Sequence, residues 1–322
     1  MDTVRERLEE QVRVDTAELR DCFARFEISE IVANDTGIHG LVSDRGWRKL
    51  ADALSATKRE RILGVAATLA GSEIHRDSPE ISVELAHLSL RVQGCVPPLS
   101  PSPELILRRP PPHLFQLEEF GGEYDPLLLR EAILYRKNIL IAGSTGTGKT
   151  RLLESCVVEL HKLDPNLNVF IAEDAREIRS PFRLTTWRRI GQGASLSSRT
   201  VVAGAMRSNP DRVLQSEVRG PEALDLLRVW GSGHPGGLTT IHANSARGAL
   251  TQLDQLAQQA GVPSQAPLVG EVVDLVVYLE RQERRPVITE LVWVHKWGPT
   301  SSDYVTETIE DGMHIGPNGI EA

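Results

Sequence analysis

The spacing of hydrophobic and polar positions changes period several times along the chain. Residues 1–21 mix both charges at helical spacing, and residues 1–24 are expected to form an exposed N-terminal helix or arm. From Ile28 the period is that of a strand. Ile28-Ser-Glu-Ile-Val-Ala, the turn residues Asn34-Asp-Thr-Gly and the run from Ile38 to Ser43 predict a hairpin. Residues 47–54 and 58–70 predict helices, the second with Ile62, Val65, Ala66 and Leu69 on one face. Residues 80–92 alternate as half-buried strands do, through Ile81, Val83 and Leu85. Residues 25–96 are therefore expected to fold as a small α+β domain.

Proline then breaks the pattern. Seven prolines lie between Pro97 and Pro112, which prevents a regular helix and leaves extended segments. Within this stretch only residues 104–108 predict a strand. Residues 97–125 are expected to connect two domains, either as a passive spacer or as a segment that sets the angle between them. From Pro126 to residue 297 strands and helices alternate. Helices are expected at 126–135, 151–163, 201–208, 222–230 and 246–260. Strands are expected at 138–142, 169–172, 212–215, 237–241, 274–280 and 286–294. Such alternation predicts an α/β domain, a mostly parallel sheet covered by helices. Residues 298–322 lose periodicity and gain Gly, Ser, Thr and Asp, and are expected to be a loose tail.

Composition narrows the function classes. The 322 residues fit about two domains, with 40% hydrophobic and 25% charged residues, as in soluble globular proteins. A net charge of −8 and 5% aromatic residues argue against direct nucleic-acid binding, which needs a basic surface or stacking platforms. Cys22, Cys95 and Cys156 show no C-x-x-C spacing, so neither a zinc site nor a disulfide framework is expected. No apolar run approaches the ~20 residues of a membrane span, and the charged N-terminus has no apolar signal core. A cytoplasmic location is expected.

The chemistry concentrates in four segments. Gly143-Ser144-Thr145-Gly146-Thr147-Gly148-Lys149-Thr150 is a full G-x-x-x-x-G-K-[ST] phosphate loop, placed between a predicted buried strand and a predicted helix. Its backbone N–H groups and the following helix N-terminus suit phosphates, Lys149 would reach the β- and γ-phosphates, and Thr150 would place its hydroxyl on Mg²⁺. ATP and Mg²⁺ are therefore the expected ligands. Glu173 and Asp174 end a second apolar strand, where open α/β sheets bind ligands. Glu173 is the candidate to orient or deprotonate water. Glu217 follows a third, short strand, Arg212-Val-Leu-Gln, in the arrangement that holds Mg²⁺ directly or through a water. His242 ends a fourth strand beyond a glycine-rich turn and is a candidate sensor of the γ-phosphate. Arg207, Arg212 and Arg219 surround the third segment, and a guanidinium at the developing charge favours phosphoryl transfer. Arg207 and Arg219 are the catalytic candidates among them.

Four ordered runs carry a resemblance. They are residues 143–150, Ile171-Ala-Glu-Asp-Ala-Arg-Glu, Glu217-Val-Arg-Gly-Pro-Glu-Ala-Leu-Asp-Leu-Leu and Gly233-His-Pro-Gly-Gly-Leu-Thr-Thr-Ile-His-Ala-Asn. Together they resemble the Walker A motif, Asp box, Walker B motif and His box of the secretion ATPases of type II and type IV systems. The third run is most similar to the conjugal-transfer branch, TrbB type, and the resemblance spans about residues 25–295. It implies a PAS-like N-terminal domain, a RecA-like ATPase domain with nucleotide between the two, and a homo-hexameric ring on the cytoplasmic face of the inner membrane. Partners would be other subunits of a secretion or mating-pair apparatus. Lys149, Thr150, Glu173, Glu217 and His242 take the roles given above, and Arg108 resembles an arginine that reaches the nucleotide from the N-terminal side. The function implied is an ATP-driven motor of a conjugative or type IV secretion apparatus. The alternatives are an assembly subunit with weak turnover and a pilus or type II secretion ATPase. Three unpaired cysteines count against the last, whose members often carry a four-cysteine zinc module. Gln215 and Ser216 depart from the branch, which has an apolar residue and Gly before the Walker B acid. Asn209 also departs, and the residues after 298 match nothing in the family pattern.

Overall fold

The computed structural model describes residues 2–25, 28–42, 45–109, 114–122, 124, 126–174, 177–190, 197–283, 285–310 and 312–321. Pro110–Pro112 of the proline-rich stretch, and Ala175 and Arg176 of the acidic segment, lie outside the described residues. The chain divides into two compact units, residues 1–113 and 114–322.

The first unit opens with helices α1 (Asp2–Asp15) and α2 (Ala17–Arg25). Strands β1 (Ile28–Asn34), β2 (Gly37–Val42) and β3 (Gly46–Ala51) follow, then α3 (Ala56–Leu69), β4 (Glu80–Leu85), β5 (Leu90–Cys95) and β6 (Glu104–Arg108). The strands form one antiparallel sheet in the order β3-β2-β1-β6-β5-β4. Alternation puts Ile31, Ala33, Ile81, Val83, Leu105 and Leu107 in one core, with Ile62 and Leu63 of α3. Ser55 caps α3 by accepting the Lys58 N–H. Arg59, 1% exposed, donates to the carbonyls of Pro103 and Leu54 and to Asp35 and Ser102, tying the approach to β6 onto the helix.

Three expectations change here. The N-terminal arm is not wholly exposed, because Val12, Leu19 and Phe23 are buried in the core of the unit. Residues 47–54 form no helix; Gly46–Ala51 is an edge strand on β2, with Trp47 opposite Leu41. The strand inside the proline-rich stretch belongs to the middle of this sheet rather than to a connection.

The second unit contains α4 (Pro126–Leu134), β7 (Ile139–Gly143), α5 (Lys149–Leu163), β8 (Asn168–Glu173), β9 (Leu184–Arg189) and α6 (Ser198–Ala203). It continues with β10 (Arg212–Gln215), α7 (Glu222–Gly231), β11 (Leu238–His242), α8 (Ala246–Gln258) and α9 (Ala266–Val272). Last come β12 (Leu275–Gln282), β13 (Arg285–Gly298), β14 (Asp303–Thr308), β15 (His314–Gly316) and β16 (Gly319–Glu321). Eight strands make one sheet, β14-β13-β12-β7-β11-β10-β8-β9. The six from β12 to β9 run parallel, and β13 and β14 extend one edge antiparallel. All five residues of β7 are buried, as a central strand covered on both faces requires. The α4–α5 layer packs one face through Leu128, Leu152 and Cys156, and the α7–α9 layer packs the other through Leu224, Leu250 and Val269. This is the α/β architecture expected. The sequence pattern did not single out β9 or α9, and the helix expected at 201–208 is α6 followed by a 3₁₀ segment, Gly204–Ser208.

The expected loose tail is a correction. Residues 303–308 complete the sheet as β14, and β15–β16 form a hairpin. Tyr304, Ile309 and Ile315 are buried. Glu131 of α4 accepts from the Ile315 N–H at 2.8 Å and lies 3.0 Å from the His314 ring, while Lys137 donates to the Pro317 carbonyl. Apolar side chains spaced too widely to show a period thus anchor the segment. Among the described residues no helix is long and apolar enough to cross a membrane.

Candidate active site

The phosphate loop leaves β7 at the C-terminal edge of the parallel sheet. Gly143, Gly146 and Gly148 hold φ of +153°, +76° and +102°, backbone that side chains rarely adopt. Space adds to the requirement. A Cβ at Gly143 would lie 2.5 Å from the Leu279 carbonyl oxygen and 2.7 Å from Thr147 Oγ1, and one at Gly148 would lie 2.9 Å from Pro286 Cβ. Thr147 donates to the Ser144 carbonyl at 2.9 Å and closes the turn. Ser144, Thr145 and Gly146 remain exposed at its crest. Helix α5 starts at Lys149, with Thr150 in its first turn. This is a cradle of backbone N–H groups at a helix N-terminus, the donor set that suits a polyphosphate.

Lys149 is only 7% exposed and donates to the carbonyls of Gly143 (2.9 Å) and Ser144 (2.8 Å). Burial lowers its pKa to about 8; the Glu217 carboxylate opposes that shift and Arg219 reinforces it.

Strand β11 is the parallel neighbour of β7, with His242 in register with Gly143. The His242 Nδ1 stands 3.2 Å from Lys149 Nζ, and its Nε2 stands 2.8 Å from Glu217 Oε1. Glu217 Oε1 is buried and accepts no hydrogen bond among the described residues. An oxygen that faces His242 and accepts no hydrogen bond suits a water or a cation. Burial, then the Lys149 ammonium, holds the imidazole below its ordinary pKa, against the pull of Glu217.

Glu217 lies just beyond β10. Its Oε2 accepts from Arg219 at 2.7 Å, and Arg219 also donates to Asp174 at 3.0 Å. Both carboxylates raise the pKa of Arg219. The backbone around Glu217 is fixed on both sides. The Ser216 N–H donates to the Ala172 carbonyl, Thr240 Oγ1 donates to the Ser216 carbonyl, and the Val218 N–H donates to the Thr240 carbonyl. Glu222, buried at the start of α7, accepts from both the Arg219 and Gly220 N–H groups at 3.0 Å. The run Glu217-Val-Arg-Gly-Pro-Glu is therefore one tied turn that presents Glu217 and Arg219 together. A polar line results: Lys149, His242, Glu217, Arg219, Asp174.

Two expected site residues lie elsewhere in the second unit, Glu173 and Arg207. Glu173, 0% exposed, shares the face of Val169 and Ile171, toward α5. Its Oε1 accepts from the N–H groups of Ile178 (2.9 Å) and Glu177 (3.2 Å), and its Oε2 from the Trp187 indole (2.8 Å). Burial outweighs these donors and raises its pKa to about 7. Three strand spacings separate β8 from β7, about 14 Å. Arg207 is exposed on the 3₁₀ segment, beside Ser208, whose carbonyl accepts from Asn168 at the start of β8. It therefore sits at the opposite end of the strands from the loop, about 16 Å along β8. Arg108, in the first unit, pairs with Glu30 directly across β6 and β1, at 3.0 and 3.4 Å. Arg212 is buried and donates to the carbonyls of Pro235 and Ile133, a packing role. Sequence reasoning placed Asp174 at the ligand edge but gave it no role, and it passed over Glu222. Strand alternation was the available signal for Asp174, since it turns consecutive acids to opposite faces.

Comparison with known proteins identifies relatives of the chain. A family model described as "Type II/IV secretion system protein" matches residues 77–292. The probable conjugal transfer protein TrbB of Sinorhizobium fredii is 33% identical over 270 residues, covering 81% of this chain and 82% of that protein. The type IV secretion system protein PtlH of Bordetella pertussis is 30% identical over 304 residues, covering 82% of this chain and 88% of that one. Among solved structures, the ATPase DotB of Yersinia pseudotuberculosis superposes with a TM-score of 0.62 at 16% identity, covering 90% of this chain and 80% of that chain.

Proposed function

The chain belongs to the family of type II/IV secretion system proteins, and we propose that within it this chain is an ATP-hydrolysing motor subunit of a conjugative or type IV secretion apparatus. One observation carries the hydrolytic part: the phosphate-loop lysine, His242 and Glu217 are in contact across three adjacent strands. The relatives named for conjugal transfer and type IV secretion support the choice of apparatus over a pilus or type II system.

Each residue has a task that its surroundings permit. The loop N–H groups and Lys149 bind the phosphates, and Lys149 exchanges its two carbonyl acceptors for phosphate oxygens. Thr150 and Glu217 are the residues that would hold Mg²⁺, directly or through a water, and the bound ion supplies charge neutralisation at the phosphate oxygens. Glu217 orients the attacking water through Oε1, while Arg219 keeps Oε2 fixed. A neutral His242 links the phosphate end of the site to that carboxylate and registers the loss of the γ-phosphate. Glu173 is the anchor of the segment that presents Asp174 to Arg219. Turnover would drive movement of the two units within a homo-hexamer at the cytoplasmic face of the inner membrane, in contact with other subunits of the apparatus.

Phosphate release from ATP by the purified chain, with and without Mg²⁺, tests the activity, and native mass spectrometry with nucleotide tests the ring. Mg²⁺-dependent release from a six-subunit species supports the reading; no release under any magnesium or nucleotide condition overturns it.

A further inference from the structure

We propose that Gln215 is a positioning residue for hydrolysis: its side-chain amide holds the main chain of Glu217 and so sets where that carboxylate stands. The inference rests on the reading of Glu217 as the acid of the hydrolytic site.

All four residues of β10 are buried, and the last is Gln215, at 0% exposure. It shares the face of Val213, toward the α7–α8 layer. An amide in this place gives up its hydrogen bonds to water, so packing alone would favour an apolar side chain. The amide is nevertheless committed. Its Nε2 donates to the Glu217 carbonyl at 2.9 Å. Its Oε1 is buried and accepts nothing among the described residues, and neither does the Oγ1 of Thr239, its in-register neighbour on β11, find a partner. The donor end alone accounts for the amide.

That bond falls where the strand ladder stops. Ser216 is tied to Ala172 and Thr240, and Val218 to Thr240. The bond from Gln215 ties residue 217 itself, between those two anchors. With its carbonyl fixed, the Glu217 side chain leaves the backbone in one direction, toward His242 and Arg219. Gln215 touches no phosphate-loop residue in any hydrogen bond among the described residues, so its effect on chemistry passes through Glu217.

Gln215→Leu keeps an apolar-compatible volume and removes the donor. Gln215→Glu puts an acceptor against the Glu217 carbonyl. The expected result is a kcat lower by about tenfold in the leucine variant and by more in the glutamate variant, with KM raised only as far as the loss of magnesium-dependent affinity accounts for. A second measurement is the ratio of dissociation constants for a fluorescent non-hydrolysable ATP analogue without and with Mg²⁺. That ratio is expected to shrink in Gln215→Leu, while affinity without Mg²⁺ stays unchanged. A kcat and a magnesium ratio both equal to the parent's would overturn the proposal. So would a loss of magnesium-free affinity together with kcat, because a general packing defect behaves that way. If the parent releases no phosphate, the reading as an ATPase fails, and the magnesium ratio alone decides the positioning role: a smaller ratio in the leucine variant supports it, an equal ratio overturns it.

Discussion

His242 Nδ1 stands 3.2 Å from the Nζ of Lys149, so the lysine of the phosphate loop and the residue that ends the neighbouring strand share one contact. The parallel register of β7 and β11 causes this, because it sets His242 beside Gly143, the first residue of the loop. Replacing His242 with alanine should leave nucleotide affinity within a few-fold of the parent and lower kcat by about 10²-fold, since the link to Glu217 is lost. Steady-state kinetics with a parallel binding titration checks this.

Lys149 makes nucleotide affinity depend on pH. Its folded-state pKa is lowered to about 8 from the usual 10.5, so in the free protein the ammonium is present below pH 8 and is lost above it. Affinity for ATP is expected to weaken as pH rises from 8 to 9.5, by up to about tenfold per unit. A Lys149→Arg variant, charged throughout, should show no such slope. Stability runs the opposite way, because the unfolded chain keeps the proton up to about 10.5: the cost of the buried charge is relieved between pH 8 and 10.5. Binding titrations and urea unfolding across this range measure both signs.

The adjacent acids Glu173 and Asp174 should separate structure from catalysis. Glu173→Ala strands the buried Ile178 N–H and removes the acceptor of the Glu177 N–H and the half-buried Trp187 indole, and should cost about 2 kcal/mol of stability. Asp174→Asn should leave the melting temperature unchanged and lower kcat several-fold through Arg219. The raised pKa of Glu173 gives a further sign. The folded state holds its proton more tightly than the unfolded state, so this group's contribution to stability falls as pH rises from about 4.5 to about 7. Glu173→Gln should lack that limb, which denaturation at several pH values reveals.

The C-terminal hairpin should be an integral part of the second unit. Deleting residues 313–321 removes Ile315 from the core and the bonds to Glu131 and Lys137. A loss of about 3 kcal/mol is expected, from one buried isoleucine and the exposed apolar surface beneath it. Nucleotide affinity should not change. Chemical denaturation and a binding titration check the two halves.

The parts of this structure that the sequence discloses are those with short-range causes. The phosphate loop needs its glycines at fixed positions, and β7 is an unbroken apolar run because helices cover both its faces. Glu217 and His242 follow from ending strands in the same sheet. Long-range causes hid the rest. Trp47, Leu50 and Leu54 fall at spacings a helix would use, yet Gly46–Ala51 is an edge strand with no buried residue, which leaves no alternation to see. Tyr304, Ile309 and Ile315 are too far apart in sequence to form a pattern, and only the folded sheet shows them as core. Glu173 and Asp174 are neighbours in sequence with opposite fates, and Arg207 lies near Glu217 in sequence but at the far end of the strands.

The most direct test of the central claim is a single-turnover measurement of ATP cleavage by Glu217→Gln beside the parent and Lys149→Ala. The account predicts that Glu217→Gln binds ATP without Mg²⁺ about as tightly as the parent, gains less affinity from Mg²⁺ and releases no phosphate on the parent's timescale, while Lys149→Ala fails to bind. Phosphate release by Glu217→Gln at the parent's rate would contradict it.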